Sequence, residues 1–254
     1  NTAIFRAGNV HNIISIDPFA IESSSVIFGP SSQFYGSDAI GGVISFRTKD
    51  FNYSDSLSLG GNVGLRYGSA AREGTWHFDY GVGTKRFSSF SSISFSSFQD
   101  LNMGSNGPDI YTRPDYVLNF QGKDTIVTNP DADNQIGSGY SQLNVLQKLN
   151  FNINTRNELT AALHYSTTSD IPRYDRLILK NEESNLQNGE WHYGPQKWSM
   201  SYLSWRHLPQ GKWADSLVTT AAYQTFEESR IDRRFGRTQR RQRTENLQAY
   251  SINS

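Results

Sequence analysis

The sequence predicts an all-β protein: part of a transmembrane antiparallel β-barrel, with about eight strands in an open sheet, after a short α/β segment. Aromatic residues make up 13% of the 254 residues, although hydrophobic residues reach only 36%. Apolar and polar residues alternate from about residue 55 onward, and the connections between these stretches are short and long in turn. Since one face of a barrel strand meets lipid, such a protein needs aromatic girdles but few aliphatic residues.

The overall composition excludes several classes of function. The chain has no Cys, so it can form neither a disulfide framework nor a thiolate metal site. Lys plus Arg and Asp plus Glu number 24 each, so no net charge indicates a nucleic-acid partner. No stretch approaches the roughly 20 apolar residues of a membrane helix. The chain begins at Asn1 without a basic-then-apolar signal region, so we expect it to lack the front of a secreted protein.

Residues 1–50 differ from the rest and predict a compact α/β segment. Asp17-Pro18 is a helix-start pair, which predicts a short helix near 18–23. Two apolar runs, 26–28 and 43–46, predict strands that are bounded by glycines.

The period of two begins after this segment and predicts the strands of the sheet. Clear alternation lies at 57–67, 76–83, 143–153 and 159–166, and weaker alternation at 88–99, 196–207, 216–229 and 244–254. The pattern predicts antiparallel pairing in sequence order. It also predicts that one set of side chains faces lipid and the other the lumen. The lipid-facing set includes Trp76, Phe78, Tyr80 and Leu163, and the lumenal set includes His77, Asp79 and His164.

The connections alternate in length, which favours a barrel over a soluble sandwich. Long connections are predicted near 100–140 and 170–195, with a medium one near 231–243. Outer-membrane barrels have short turns on the periplasmic side and long loops outside the cell. Short connections that obey this rule are predicted near 84–88, 154–157 and 209–215. The first hairpin departs from it, because its outer loop near 69–73 is also short.

One ordered run carries a family resemblance. Residues 26–48 read Val-Ile-Phe-Gly-Pro-Ser, then Tyr-Gly-Ser, then Ala-Ile-Gly-Gly-Val-Ile, and Asp17-Pro18 precedes them with Ile21-Glu22. This run resembles the end of the plug domain in TonB-dependent outer-membrane receptors. The close match covers about 50 residues of the chain, and the remainder matches only as generic barrel strands. We expect a structural role for the motif glycines and their neighbours: Gly29, Pro30, Tyr35, Gly36, Ser37, Gly41 and Gly42.

The resemblance implies an organisation and a mechanism. Residues 1–50 would be the C-terminal part of the plug, and 51–254 the N-terminal portion of a barrel that has 22 strands in the family. The protein would import an iron complex, heme or a ferric siderophore, into the periplasm. A TonB complex would pull on an N-terminal segment that this sequence does not contain. Outer-membrane lipid and lipopolysaccharide would surround the barrel. We expect no intrinsic cofactor and no resident metal.

Seven arginines crowd the predicted medium loop and are the first ligand candidates. Guanidinium groups bind carboxylates and phosphates in a bidentate manner, which suits heme propionates or an anionic siderophore. A solvated loop or contacts with lipopolysaccharide phosphates would explain the same residues. The arginines are Arg230, Arg233, Arg234, Arg237, Arg240, Arg241 and Arg243.

A histidine and a set of aromatic residues complete the candidates. In some heme receptors of the family, an axial histidine in the plug apex lies at nearly the distance of His11 from the Asp-Pro pair. Arg6 lies close to His11 in the sequence and is a further candidate. His11 could equally be a polar residue of the plug apex. Aromatic side chains in the long loops could grip a planar or catecholate ligand, or pack the loops together. They are Tyr111, Tyr116, Tyr174, Trp191, His192 and Tyr193.

No catalytic constellation is visible, so we expect a receptor and not an enzyme. The sequence has no nucleophile elbow, no phosphate-binding loop and no His-x-x-x-His metal motif. An oligosaccharide or cobalamin receptor and a non-transporting adhesin remain alternatives on the same scaffold.

Overall fold

A computed structural model describes residues 15–29, 41–104, 106–210 and 214–254 of the chain. Strands take up 64% of the residues and helices 5%, and all of the sheets are antiparallel. This confirms the all-β fold class that the sequence predicts. No helix in the described ranges is long and apolar enough to cross a membrane.

Sixteen strands and one α-helix are present among the described residues. The strands are β1 (Ile21–Phe28), β2 (Gly42–Thr48), β3 (Ser58–Gly68), β4 (Glu73–Gly83), β5 (Phe87–Phe98), β6 (Leu101–Asn102), β7 (Asp115–Phe120), β8 (Lys123–Thr128), β9 (Asn134–Gln135), β10 (Tyr140–Asn154), β11 (Asn157–Thr168), β12 (Ile171–Pro172), β13 (Asn188–Tyr193), β14 (Lys197–His207), β15 (Leu217–Arg234) and β16 (Arg240–Asn253). The single-turn helix α1 spans Tyr174–Leu177, and two 3-10 turns span Pro18–Ala20 and Asp109–Tyr111.

Eight long strands form the main sheet, as predicted. They pair in the order β3-β4-β5-β10-β11-β14-β15-β16, each antiparallel to the next. Two short strands complete the sheet: β13 pairs with β15 beyond the end of β14, and β12 pairs with β13. The pairing in sequence order confirms the predicted meander.

The unbroken registers give the main sheet two distinct faces. We call the face that carries Trp76 and Phe78 the apolar face, where these side chains are 66% and 50% exposed. Asp79 lies on the opposite, polar face and is 2% exposed. Tyr80 and Leu163 lie on the apolar face, and His77 and His164 on the polar face. The predicted division of these residues between two faces is therefore confirmed, while lipid and lumen as the surroundings of the faces stay predictions.

The two ends of the sheet differ as well. We call the end with the connections 69–72, 99–139, 169–196 and 235–239 the loop end, and the other end the turn end. The prediction of a medium loop at 231–243 is wrong. Continuous pairing from Thr220↔Asn253 to Arg233↔Arg240 carries the β15–β16 hairpin up to a tight turn. Cross-strand hydrogen bonds satisfy the backbone here, so most of the arginines lie on strands.

The predicted helix near 18–23 is also wrong beyond its first turn. Asp17 caps a 3-10 turn, since its Oδ1 accepts a hydrogen bond from Phe19 N at 3.0 Å. The chain then enters β1, because residues from Ile21 onward pair with β2 and sheet hydrogen bonds replace helical ones. The two predicted strands of this segment are confirmed. The domain boundary between residues 50 and 51 stays a prediction.

Candidate functional site

The polar face of the main sheet is covered by what we call the inner segment, residues 15–29 and 41–55. The ring of Phe19 stacks on His77 with centroids 4.7 Å apart, and Ser94 Oγ donates to Asp17 Oδ2 at 2.8 Å. Charged contacts continue along the segment. Lys49 Nζ lies 3.3 Å from Asp79 Oδ2. The inner segment therefore covers polar side chains that the meander alone would leave exposed.

Further contacts extend this cover towards the turn end. Lys148 Nζ lies 3.1 Å from Asp50 Oδ1, and the same oxygen accepts from Asn150 Nδ2 at 3.2 Å. The hydroxyl of Tyr53 donates to Glu158 Oε1 at 3.0 Å. These three contacts between the strands and the inner segment are polar, and water can replace each of them.

Phe51 is a large apolar contact of the inner segment. Its ring packs beside a small buried cluster that contains Phe90 and Leu146. The ring also fills the place of a missing side chain, because a Cβ on Gly81 would lie 1.9 Å from Phe51 Cδ2. A glycine is thus required on β4 where the ring approaches the strand.

At the loop end, an ion pair joins strand β15 to strand β8 of a long connection that is far from it in sequence. Arg233 on β15 donates from Nη1 and Nη2 to the Asp124 carboxylate of β8, at 2.6 and 2.8 Å. Gly236 N donates to the same carboxylate at 2.8 Å. The side chains of Arg233 and Asp124 are only 11% and 1% exposed. Hydrogen bonds from Arg233, then from the Asn119 side chain and from Gly236 N, lower the pKa of Asp124 from 3.8 to about 2.

A second pair lies beside the first. Arg240 donates from Nε and Nη2 to the Glu190 carboxylate of β13 at 2.9 to 3.0 Å. His192 Nε2 lies 2.9 Å from the same carboxylate. On the polar face, Arg241 donates to Asp232 Oδ2 at 3.0 and 2.6 Å. These carboxylates neutralise much of the arginine stretch.

Two other arginines lie over aromatic rings and form what we call the arginine–aromatic cluster: Arg173, Trp191, Tyr193 and Arg230. The two rings meet edge to face with centroids 5.2 Å apart. The guanidinium carbon of Arg173 lies 5.1 and 5.3 Å from the centroids of Trp191 and Tyr193. That of Arg230 lies 5.8 and 5.6 Å from the same centroids. All four side chains are half-buried.

The other predicted candidates are dispersed. Tyr111 is exposed at the end of a 3-10 turn, and its carbonyl accepts from Tyr174 Oη at 2.7 Å. Tyr116 lies in β7. Arg234 donates to Gln187 Oε1 at 3.0 Å. Arg237 and Arg243 are exposed, in the turn and on β16.

Several predicted residues lie outside the described ranges. They are Arg6, His11, Pro30, Tyr35, Gly36 and Ser37. Of the motif glycines, Gly29 has a φ of +95°, in the left-handed region that favours glycine. A Cβ on Gly42 would lie 2.6 Å from Ile27 O, so this position is closely packed. The roles assigned to the motif and to the ligand candidates stay predictions.

Sequence reasoning missed the partners of the predicted arginines. Asp124 and Glu190 had no local signal, because they meet Arg233 and Arg240 across 109 and 50 residues of chain. Arg173 follows Pro172 in a long connection, where nothing in the local pattern points to an aromatic partner. Among the described residues, no group of three His, Cys, Asp or Glu side chains could hold a metal ion.

Comparison with known proteins finds two hemin receptors of similar sequence. The chain is 41% identical over 71 residues to a hemin receptor of Yersinia enterocolitica, which covers 28% of this chain and 10% of that protein. It is 29% identical over 162 residues to a hemin receptor of Yersinia pestis, covering 63% of this chain and 20% of that protein. The matches thus span a tenth and a fifth of these relatives. No protein-family model matches the chain.

Proposed function

We propose that this chain is part of a TonB-dependent outer-membrane receptor that imports heme in a Gram-negative bacterium. The observation that carries the proposal is the sequence similarity to two hemin receptors, found in a chain that folds as an antiparallel meander. Receptors of this kind transport a ligand, so we assign no enzymatic activity.

The exposed apolar face supports a membrane location. Large apolar side chains such as Val63, Leu65 and Trp76 are two-thirds exposed or more on the face opposite the inner segment. Such a surface is unfavourable in water and is matched by lipid. Lipid, with lipopolysaccharide at the loop end, is therefore the proposed surrounding of the sheet.

The inner segment supports a plug that can move. Its contacts with the polar face are mainly single hydrogen bonds and ion pairs, with Phe51 as an apolar anchor. Water can replace such polar contacts when the segment leaves, because the hydrogen-bonding groups that are released to solvent regain partners there. A TonB complex pulling on a preceding segment would be the source of the force.

A ferric siderophore is the second candidate ligand, and the arginine-rich hairpin suits either anion. Growth of a deletion strain, complemented by the full-length gene, tests the choice. Hemin as the sole iron source should support growth only with the gene, whereas growth on a ferric siderophore should not depend on it. The reverse dependence would replace heme by a siderophore. Dependence on neither would reject iron import and favour the oligosaccharide, cobalamin or adhesin alternatives.

His11 remains the proposed axial ligand of the heme. Titration of hemin into the full-length receptor should shift the Soret band, and the His11→Ala variant should lose most of that shift, because an imidazole nitrogen must reach about 2 Å from the metal. His164→Ala offers a matched control, since this histidine lies on the polar face between β10 and β14. Equal shifts in wild type and His11→Ala would reject the assignment.

A further inference from the structure

We propose that the arginine–aromatic cluster binds a flat, carboxylate-bearing ligand, with Arg230 as the residue that pairs with a carboxylate. The inference rests on the proposed function for the identity of that ligand, heme. It assigns the ligand's acidic edge to four residues of this chain that are separate from the proposed axial histidine.

The cluster lies on the polar face, at the loop end beyond the last pair between β14 and β15. Tyr193 pairs with Arg230, and Trp191 with Asp232, so both rings share the face of the β15 side chains opposite them. The same face, lower in the sheet, contacts the inner segment. A ligand held by the cluster would therefore stand above the inner segment, on the side of the sheet where the proposed import path lies.

The geometry suits a flat ring system. Trp191 and Tyr193 meet edge to face, and both guanidinium groups lie within 6 Å of both rings. Guanidinium planes and aromatic rings stack on flat conjugated molecules and lose little conformational entropy in doing so. The rings are only half-buried, so a ligand can reach them.

The charges single out Arg230 within the cluster. Arg173 already forms a bidentate pair with Asp175, both bonds being 2.7 Å. Arg230 forms no ion pair with any carboxylate in the part of the chain that the structure describes, and its buried Nε has no hydrogen-bond partner there. A buried donor without an acceptor is unfavourable, and a carboxylate would satisfy it.

The residues around Arg230 also favour a bound anion. The residue directly across the β15–β16 pair is Arg243, a second positive charge. Like charges opposite each other in a sheet repel, so an anion between them is favoured. The next acid along the strand, Asp232, accepts two hydrogen bonds from Arg241. On the other side of Arg230 along the strand, one carboxylate oxygen of Glu228 accepts a hydrogen bond from Gln196.

The test compares hemin with hemin dimethyl ester, which keeps the flat ring but carries no carboxylate. Binding to the full-length receptor in detergent is measured for wild type and Arg230→Gln. We expect Arg230→Gln to weaken hemin binding about tenfold or more, and to change binding of the ester less than about twofold. The control is Arg86→Gln, because Arg86 lies in the short connection between β4 and β5 at the turn end, away from the cluster. It should bind hemin like wild type.

A second variant guards against misfolding. Arg230→Lys keeps the charge but loses the bidentate, stacking guanidinium, so it should bind hemin with intermediate affinity. If Arg230→Gln does not assemble in the membrane, the binding of hemin and hemin dimethyl ester is compared between Arg230→Lys and wild type. Equal affinity of Arg230→Lys and wild type for hemin would then overturn the proposal.

The outcomes separate this inference from the proposed function. If the gene supports growth on hemin but Arg230→Gln binds hemin as tightly as wild type, import stands and the cluster assignment is overturned. If the gene does not support growth on hemin, but metal-free protoporphyrin binding depends on Arg230, the cluster assignment stands and heme import fails. Equal losses for hemin and its ester would also overturn the carboxylate role, as would a wild type without affinity for any of these porphyrins. Arg230-dependent binding of lipopolysaccharide without porphyrin binding would assign the site to phosphates instead.

Discussion

Two regions of this chain bind distant segments with charged side chains, but they do so differently. At the loop end, Arg233 and Asp124 form a bidentate pair that is almost fully buried. On the polar face, Lys49 meets Asp79 through a single contact. The Lys49 side chain is 36% exposed, whereas Asp79 is buried and also accepts hydrogen bonds from Asn62 N and Nδ2. The first pair is held in one bidentate geometry, whereas in the second the lysine reaches water and the carboxylate has other donors.

The difference indicates that the loop end is held in place, whereas the inner segment can be released from the sheet. A buried charge that loses its partner is strongly unfavourable, so the Asp124 pair resists separation of the loops. Asp79 keeps its hydrogen bonds from Asn62 when Lys49 leaves, so this pair contributes less and the inner segment depends more on the fit of Phe51 against Gly81. A rigid loop end above a releasable inner segment is the arrangement that the proposed import requires.

The largest expected effect comes from removing the buried charge of Asp124. Asp124→Asn should destabilise the docking of the β7–β8 hairpin by about 3 kcal/mol, because Arg233 is left without its carboxylate. Hydrogen exchange in Asp115–Thr128 should increase strongly, while β14 stays protected. Asp109→Asn changes an exposed acid in the same connection and serves as the control. Unchanged exchange in the hairpin would show that the pair does not hold the loops.

The same pair predicts a pH dependence. The pKa of Asp124 is lowered from 3.8 to about 2, so the stabilisation is fully present above pH 4 and is lost as the pH falls through about 2. The loss should amount to roughly 2 kcal/mol of docking free energy. Pepsin cleavage within the hairpin should rise over this range, relative to Asp124→Asn at each pH. A parallel rise in both proteins would assign the effect to other groups.

Gly81→Ala should disturb the inner segment by about 1 to 3 kcal/mol, because the new methyl group overlaps the Phe51 ring. We expect the midpoint of denaturant unfolding to fall and hydrogen exchange near residue 51 to rise. Gly74→Ala on the same strand is the matched control, since a Cβ there meets nothing within 4 Å. If both variants behave alike, the ring does not anchor the segment.

The smallest effect is expected for Lys49→Gln, because the lysine is partly exposed and Asp79 keeps its hydrogen bonds from Asn62 when the ion pair is removed. The change in unfolding free energy should stay below about 1 kcal/mol and should vanish at high salt. A loss as large as that of Asp124→Asn would remove the contrast between the two regions.

The strand pattern shows how far sequence reasoning reached. All eight long strands and the two faces were predicted, because alternation with a period of two is a local property of each strand. The arginine stretch misled the prediction of a loop at 231–243. Charged residues usually indicate solvent, and the hairpin keeps them exposed while its backbone remains paired. The helix at Asp17-Pro18 was overestimated, since a capping signal marks a start and not a length.

The sequence by itself therefore determined the all-β class, the order of the strands and the face on which each side chain lies. Only the tertiary structure decided which arginines of the β15–β16 hairpin are neutralised, and that the buried Nε of Arg230 has no hydrogen-bond partner among the described residues. It also decided that Phe51 lies over Gly81. The physical reason is that strand periodicity depends on near neighbours, whereas an ion pair such as Arg233–Asp124 joins residues 109 positions apart. No local sequence pattern predicts such a pair, because the pair forms only when the connections fold over the end of the sheet.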